Sequence, residues 1–490
     1  MDRIAESLKS KIITASEAAS MIKPNMCLGF SGFGQVGDPH IIPAEIAKQG
    51  TAKNLTVLTG ASVGPHLDGD MTDAGLIARR FPYQTNKQCR AAINAGEMAY
   101  ADQHLSVTPK LMLNGSGPKV DFAIIECCAV TEEGLYPAAT VGISDTCVAS
   151  ADKVLIELNT TLPIELVGMH DIASYAGTGQ PVPLTGVMDR IGTPYIPCDP
   201  SKIAGIVVTD DPDYFPTFKD ADEDSKKIAA NIVEFLKGEI AAGRQPENLY
   251  PIQSGVGNVA NAVLYGLETS GLKGLSMYTE VIQDSALSLI KKGIIESASC
   301  TSLSISREAQ AELIANADFY KDRVIIRPQE ISNHPEVARR LQLVSMNTPI
   351  EVDIYGNVNS THIMGSKVMN GIGGSGDFSR NSGTVIFATS SVAKGGAISC
   401  IVPFCSHIDH TEHDSMIIVT EQGVADLRWK SPRERAALLI DNCAHPDYKD
   451  MLWDYFNRAC ATTGGHTPHI LSEALSWHDR FNKTGTMKLS

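Results

Sequence analysis

Short β-branched or apolar runs alternate with longer amphipathic stretches along all 490 residues. That alternation constrains the fold more than any other feature, because it marks α/β architecture with largely parallel sheets. It predicts strands over residues 26–31, 55–59, 122–125, 153–157 and 203–208, with helices over 15–22 and 43–49. A second series predicts strands near 276–277 and over 297–302, 324–326, 385–387, 398–402 and 416–419. Between the two series the acidic stretch 209–224, with prolines at Pro212 and Pro216, breaks any periodicity and reads as a linker. A patterned helix over 225–242 follows it, and from Pro432 onward the chain reads as helices broken at Gly464-Gly465. A chain of this length needs more than one core. The expected division is an N-terminal domain over 1–220 and a C-terminal domain over 221–490.

Charge and segment composition exclude several function classes. With 41 Lys and Arg against 56 Asp and Glu, the net charge is −15, the opposite of a nucleic-acid binder's basic stripe. The basic pairs Arg79-Arg80, Lys226-Lys227, Lys291-Lys292 and Arg339-Arg340 read as solvated helix ends. No run of about 18 apolar residues occurs, and the first residues lack the apolar core of a signal peptide. The expectation is a cytoplasmic protein that binds neither nucleic acid nor membrane. The 11 cysteines include no Cys-x-x-Cys pair and sit mostly in apolar runs, so buried reduced thiols are expected.

Two glycine clusters spell the dinucleotide fingerprint, Gly32-Phe-Gly34-Gln-Val-Gly37 and Gly371-Ile-Gly373-Gly374-Ser-Gly376. Such a site also needs an acidic residue about 20 positions further on to hold the ribose. The strand after Gly37 ends in Thr59-Gly60-Ala61-Ser62, and no Asp or Glu lies between Phe378 and His407, so no nicotinamide or flavin site is assigned. The trio His407, His410 and His413 has metal-ligand spacing for a helix, but its flanking apolar runs place it in a loop joining two strands. The strongest chemical candidate is Glu280, in Ser276-Met-Tyr-Thr-Glu280-Val-Ile-Gln283-Asp284. There a strand hands over to a helix at 285–291, a position that projects a side chain from the carboxyl edge of a sheet. The turns at Gly255-Val256-Gly257 and at the Gly371 cluster can each aim backbone N–H groups at a developing oxyanion.

Six segments carry a resemblance beyond any single motif. They are Gln253-Ser-Gly-Val-Gly-Asn-Val, Tyr278-Thr-Glu280-Val-Ile-Gln-Asp, Arg327-Pro-Gln-Glu-Ile-Ser-Asn333, Asp353-Ile-Tyr-Gly-Asn-Val-Asn-Ser-Thr, Asn370-Gly-Ile-Gly-Gly-Ser-Gly-Asp-Phe and Thr420-Glu421-Gln-Gly-Val-Ala-Asp-Leu-Arg428. Together they resemble the class I coenzyme A transferases of the acetyl-CoA hydrolase/transferase branch, over nearly the full chain. The resemblance implies two tandem open α/β domains of related topology, of NagB/RpiA/CoA-transferase-like fold, with the active site in the cleft between them, assembled as a homodimer. It implies Glu280 as nucleophile, carried with the CoA-binding glycine loop by the second domain. It implies Val256 and Gly374 as oxyanion amides, Asn333 lining the site, and Glu421 beside the nucleophile. Gly373, Gly374, Lys394, Asn333 and Val256 fall at CoA-contacting positions.

The implied activity exchanges CoA between succinyl-CoA and acetate. Coenzyme A is then substrate and covalent intermediate, and no tightly bound cofactor or metal is called for. Glutamate suits the task because its acyl anhydride is as reactive as a thioester. Segment 207–217 departs from the acetate-using pattern: it offers Val208, Asp211 and Tyr214 where an arginine could meet a substrate carboxylate, with Arg190 as an alternative partner. Propionyl-CoA:succinate transfer, thioester hydrolysis and a sensing module without turnover are the alternative readings.

Overall fold

A computed structural model describes residues 2–218 and 221–489. The chain forms two compact units that do not follow the expected division between 220 and 221. The first holds the residues up to 218 together with Met277–Ile290 and Ile295–Leu341, and the second holds the rest. The segment carrying Glu280 therefore belongs with the N-terminal half, because its contacts are with that half. Residues 210–218 of the acidic stretch carry no helix or strand, and its positions 219 and 220 lie outside the described residues.

The first unit is built on β1 (Cys27–Phe30), β2 (Leu55–Leu58), β3 (Ile77–Phe81), β4 (Ala99–Tyr100), β5 (Phe122–Cys127), β6 (Lys153–Asn159) and β7 (Ile203–Thr209). They run in the order β7-β6-β5-β1-β2-β3-β4, and every neighbouring pair is parallel. Helices cover such a sheet on both faces, so β1 and β5 are buried at every residue. Leu28, Phe30, Val57, Ile124 and Leu155 meet Ile42, Ile46, Leu67 and Met71 in one core. The strand order reverses between β1 and β5, which opens a crevice at the carboxyl ends of these strands.

The sequence pattern did not single out β3 and β4. Arg79-Arg80 lies inside β3 rather than at a solvated helix end, and Arg80 is fully buried against Asp68 at 2.7 Å. The glycines of the first cluster are structural. A Cβ at Gly37 would lie 2.2 Å from the Thr140 methyl, at a φ of +71°, so close packing excludes a side chain there.

The second unit contains β8 (Ile252–Ser254), β12 (Val344–Asn347), β13 (Thr384–Ala388), β14 (Ile417–Thr420) and β15 (Gly423–Asp426); of the strands between β8 and β12 in the chain, β9 (Leu275–Tyr278) is divided between the units, while β10 (Ile295–Cys300) and β11 (Val324–Ile326) belong to the first. The order β8-β12-β13-β14 is parallel, and β15 returns antiparallel beside β14. The helix Glu223–Ala241 starts where Asp222 accepts from the Ser225 amide and buries Ile228, Ile232, Val233 and Leu236 as one stripe. The stretch expected as one strand over 398–402 is two short strands, Ile398–Ser399 and Ile401–Val402. The C-terminal helices Pro432–Cys443, Pro446–Thr462 and Ser476–Thr484 close this unit's core around Val352, Phe387, Ile440, Tyr448 and Trp477.

All 11 cysteines are free, ten of them buried, as expected for reduced thiols. Among the described residues no helix is long and apolar enough to cross a membrane.

Candidate active site

Glu280 stands two residues past the carboxyl end of β9 and four before the helix Asp284–Lys291. Its main chain is fixed by two amides: the Thr301 and Ser302 N–H groups donate to its carbonyl at 2.8 and 3.0 Å. Both lie just after β10, Ser302 opening the short strand Ser302–Leu303 that pairs with Val281–Ile282. Thr301 is itself anchored, its carbonyl accepting from the Val141 amide at 2.9 Å and from Thr140 Oγ1 at 3.0 Å. The carbonyl of the nucleophile candidate is thus held by a segment that is itself tied down.

The turn after β11 supplies the side-chain partner. Asn333 Nδ2 donates to Oε1 of Glu280, and Ser332 Oγ donates to Asn333 Oδ1 at 2.9 Å. The serine therefore fixes which end of the amide faces the carboxylate. Tyr278, two residues before Glu280, donates its phenol to the Ile331 carbonyl, two residues before Asn333. The strand end and the turn are thus joined twice. Arg327 anchors the start of that turn: fully buried, its guanidinium pairs with Asp171 and donates to Ser299 Oγ at 2.7 Å and the Val187 carbonyl at 3.0 Å. Phe33, Ala61, Leu105 and Val281 form an apolar wall beside Glu280, with Tyr83 packed on it. Burial and, next, the Glu280 charge push the Tyr83 phenol above its ordinary range.

In the second unit, the remaining predicted residues leave one edge of the parallel sheet. Val256 follows β8 and Glu421 follows β14 at carboxyl ends, while Lys394 stands after the short strand Val392–Ala393 that lies beyond β13. Val256 is 56% exposed, in the turn that Gly257 completes at a φ of +105°. Gly374 precedes the helical turn Ser375–Ser379, and Gly373 has a φ of +59°. The Lys394 ammonium lies 5.0 Å from the Phe481 ring centroid. Glu421 accepts from the Ser391 amide at 2.8 Å, from the Ser391 hydroxyl and from Gln422 Nε2 at 3.0 Å. Burial would raise its carboxyl, but these hydrogen bonds outweigh it and hold the group below the ordinary range.

The whole chain resembles known proteins. Residues 1–208 match the acetyl-CoA hydrolase/transferase N-terminal domain, and residues 310–456 match the acetyl-CoA hydrolase/transferase C-terminal domain. The chain belongs to the acetyl-CoA hydrolase/transferase family. It is 51% identical to the succinyl-CoA:acetate CoA-transferase of Clostridium kluyveri, over 98% of this chain and 91% of that protein. It is 42% identical to the acetyl-CoA hydrolase of Yarrowia lipolytica, over 98% of this chain and 96% of that one. The crystal structure of 4-hydroxybutyrate CoA-transferase from Porphyromonas gingivalis shares the fold at a TM-score of 0.64 and 22% identity, covering 92% of this chain and 99% of that one. The protein is thus an enzyme of the acetyl-CoA hydrolase/transferase family, with a two-domain α/β fold.

Against that family background, several sequence readings resolve. The three histidines lie in a loop between strands and diverge: His410 is buried with Nε2 2.8 Å from Ser375 Oγ, His407 stacks on His362, and His413 is exposed. Arg190 donates to the His170 and Gly168 carbonyls at 2.8 and 3.0 Å, so its guanidinium braces a loop. Sequence reasoning missed Ser332, Tyr278, Thr301 and Ser391. The first two lay inside quoted segments, but a hydroxyl carries no signal of its partner until the fold supplies one.

Proposed function

We propose that the enzyme transfers CoA between succinyl-CoA and acetate by a ping-pong path through Glu280. The observation that carries this reading is the Glu280 carboxylate presented at the end of a parallel strand with Asn333 donating to Oε1. One Glu280 oxygen attacks the thioester carbonyl, and the tetrahedral intermediate expels CoA as thiolate to leave a mixed anhydride. The thiolate then attacks the Glu280 side-chain carbonyl, releasing succinate and leaving a glutamyl-CoA thioester. Acetate attacks that thioester, and the two steps run in reverse to give acetyl-CoA. No external energy is needed, because a thioester is exchanged for a thioester.

In this reading the Val256 and Gly374 amides stabilise the oxyanions, and each such donor is worth about 3 to 4 kcal/mol in the transition state. Gly373 and Lys394 contact the CoA, and Glu421 stands beside the nucleophile. Binding the nucleotide end of CoA supplies energy that the reacting centre can use. The working assembly is a cytoplasmic homodimer. The 51% identity to a protein named for this substrate pair supports the choice of succinate and acetate.

The name of the Yarrowia lipolytica relative supports a second reading, hydrolysis of acetyl-CoA. Intact mass after mixing with succinyl-CoA, with no acetate present, separates the two. A CoA adduct mapped to Glu280 and discharged by acetate as acetyl-CoA establishes transfer. Discharge by propionate in preference to acetate would shift the substrate pair. Free CoA released at a rate indifferent to acetate, with no adduct, would establish the hydrolase.

A further inference from the structure

A second set of chemistry-bearing side chains lies in the first unit, in the crevice where the strand order reverses. The carboxyl end of β1 leads to Asp38 and His40, and that of β7 leads to Asp211 and Asp213. Glu126 and Glu157 come from β5 and β6. Asp38, His40, Asp213, Glu126 and Glu157 are all at least nine-tenths buried. Glu157 is occupied: it accepts from the His40, Ile41 and Ile42 amides at 2.6, 3.0 and 2.9 Å and fixes the backbone at His40. Asp213 accepts from the Gly37 amide at 3.2 Å.

Asp38 is different. It is fully buried, and neither carboxylate oxygen has a hydrogen-bond partner among the described residues. The charged groups acting on it most strongly are Asp213, Asp68 and Glu157, all carboxylates. A buried ionised carboxylate among carboxylates is costly unless it takes up a proton or a cation joins it, and a cation satisfies several of these carboxylates at once. The imidazole of His40 is oriented to help supply that site. Its Nδ1 faces Asp211 Oδ2 at 3.2 Å, while Nε2, which also lacks a hydrogen-bond partner, lies 3.7 Å from Asp213 Oδ1. One ligand atom from each of Asp38, His40 and Asp213 lies within 4.8 Å of the other two. A carboxylate holding the far nitrogen of a histidine is the usual outer support of a metal ligand.

We infer that Asp38, His40 and Asp213 bind a divalent first-row transition cation, with Asp211 orienting the imidazole. One imidazole with two carboxylates suits Zn²⁺ or Mn²⁺. The ion ties the loop after β1 to the segment after β7. That loop also carries Phe33, part of the apolar wall beside Glu280, so the ion stiffens one side of the candidate active site without entering the chemistry.

The test uses the full-length enzyme, stripped with a chelator and titrated with Co²⁺, whose visible spectrum reports its ligands. Expected are one ion per chain, ligand-field bands without thiolate charge transfer, and a higher Tm than the stripped enzyme. Asp38→Asn should abolish stoichiometric binding, and Asp211→Asn should weaken it about 10- to 100-fold. Should Asp38→Asn fail to fold, the wild-type spectrum and the Asp211→Asn titration still decide. No saturable binding to the wild type, binding unaltered in Asp38→Asn, or a thiolate charge-transfer band would each overturn the site.

Discussion

The Asn333 amide donates to Oε1 of Glu280 from a turn 53 residues further along the chain. That partnership exists because β9 and β11 end at one edge of the sheet with β10 between them, and the Tyr278 phenol locks the two ends together through the Ile331 carbonyl. A carboxylate held this way is oriented before substrate arrives, so little reorganisation remains for the attack.

If Glu280 is the nucleophile, Glu280→Ala should lower turnover by at least about 10⁴-fold, the scale seen when a nucleophile is removed. CoA affinity, read by calorimetry, should remain. Turnover retained in that variant would remove the assignment.

Ser332 acts through Asn333 and is a positioning residue. Its loss as Ser332→Ala removes one hydrogen bond worth about 0.5 to 1.5 kcal/mol, so kcat should fall about 2- to 12-fold, with KM for the acyl-CoA unchanged. Ser332→Thr, which keeps the hydroxyl, should restore kcat. A parallel loss in Tm and KM instead would mean a purely structural role.

Arg327 and Asp171 are a fully buried pair. Asp171→Ala leaves the guanidinium uncompensated at a cost of about 3 to 5 kcal/mol, offset in part by its bonds to Ser299 and Val187. Thermal unfolding should show a clear fall in Tm, and Asp171→Asn a smaller one.

Stability should also depend on pH through Glu239, which the Arg428 and Arg244 guanidiniums hold at about 2 against an ordinary value of 4.5. A carboxyl lowered on folding stabilises above its unfolded value, and that contribution is lost as the pH falls from 4.5 toward 2. Wild type should be more stable than Glu239→Gln at neutral pH, by about 1 to 2 kcal/mol once solvent screening of the pair is allowed for. The gap in Tm should narrow as the pH falls below 4.5 toward 3, and a gap constant with pH would disprove the linkage.

Much of the fold was legible because hydrophobic periodicity is local. The runs at 55–59, 153–157 and 203–208 are strands within a residue or two of where the pattern put them. Short or polar strands were not legible: Ala99–Tyr100 spans two residues, and Ile77–Phe81 carries two arginines. Their place in the sheet comes from neighbours, which overrode a weak propensity. Glu280 was legible as a carboxylate at a strand-to-helix junction. Ser332 was not, because a serine beside an asparagine reads as an ordinary turn.

The sequence by itself determined the alternation of elements, the family, and the identity of the residues able to do chemistry, since each is written in contiguous stretches of chain. Tertiary structure alone decided which of them meet. Strand order joined Asp38 and His40 to Asp213 across more than 170 positions, buried Arg80 against Asp68, spread the three neighbouring histidines apart, and placed Glu280 with the N-terminal unit. The physical reason is that spacing along a chain fixes periodicity and local turns. Proximity is set by which strands lie side by side, and that follows from burying many apolar faces at once.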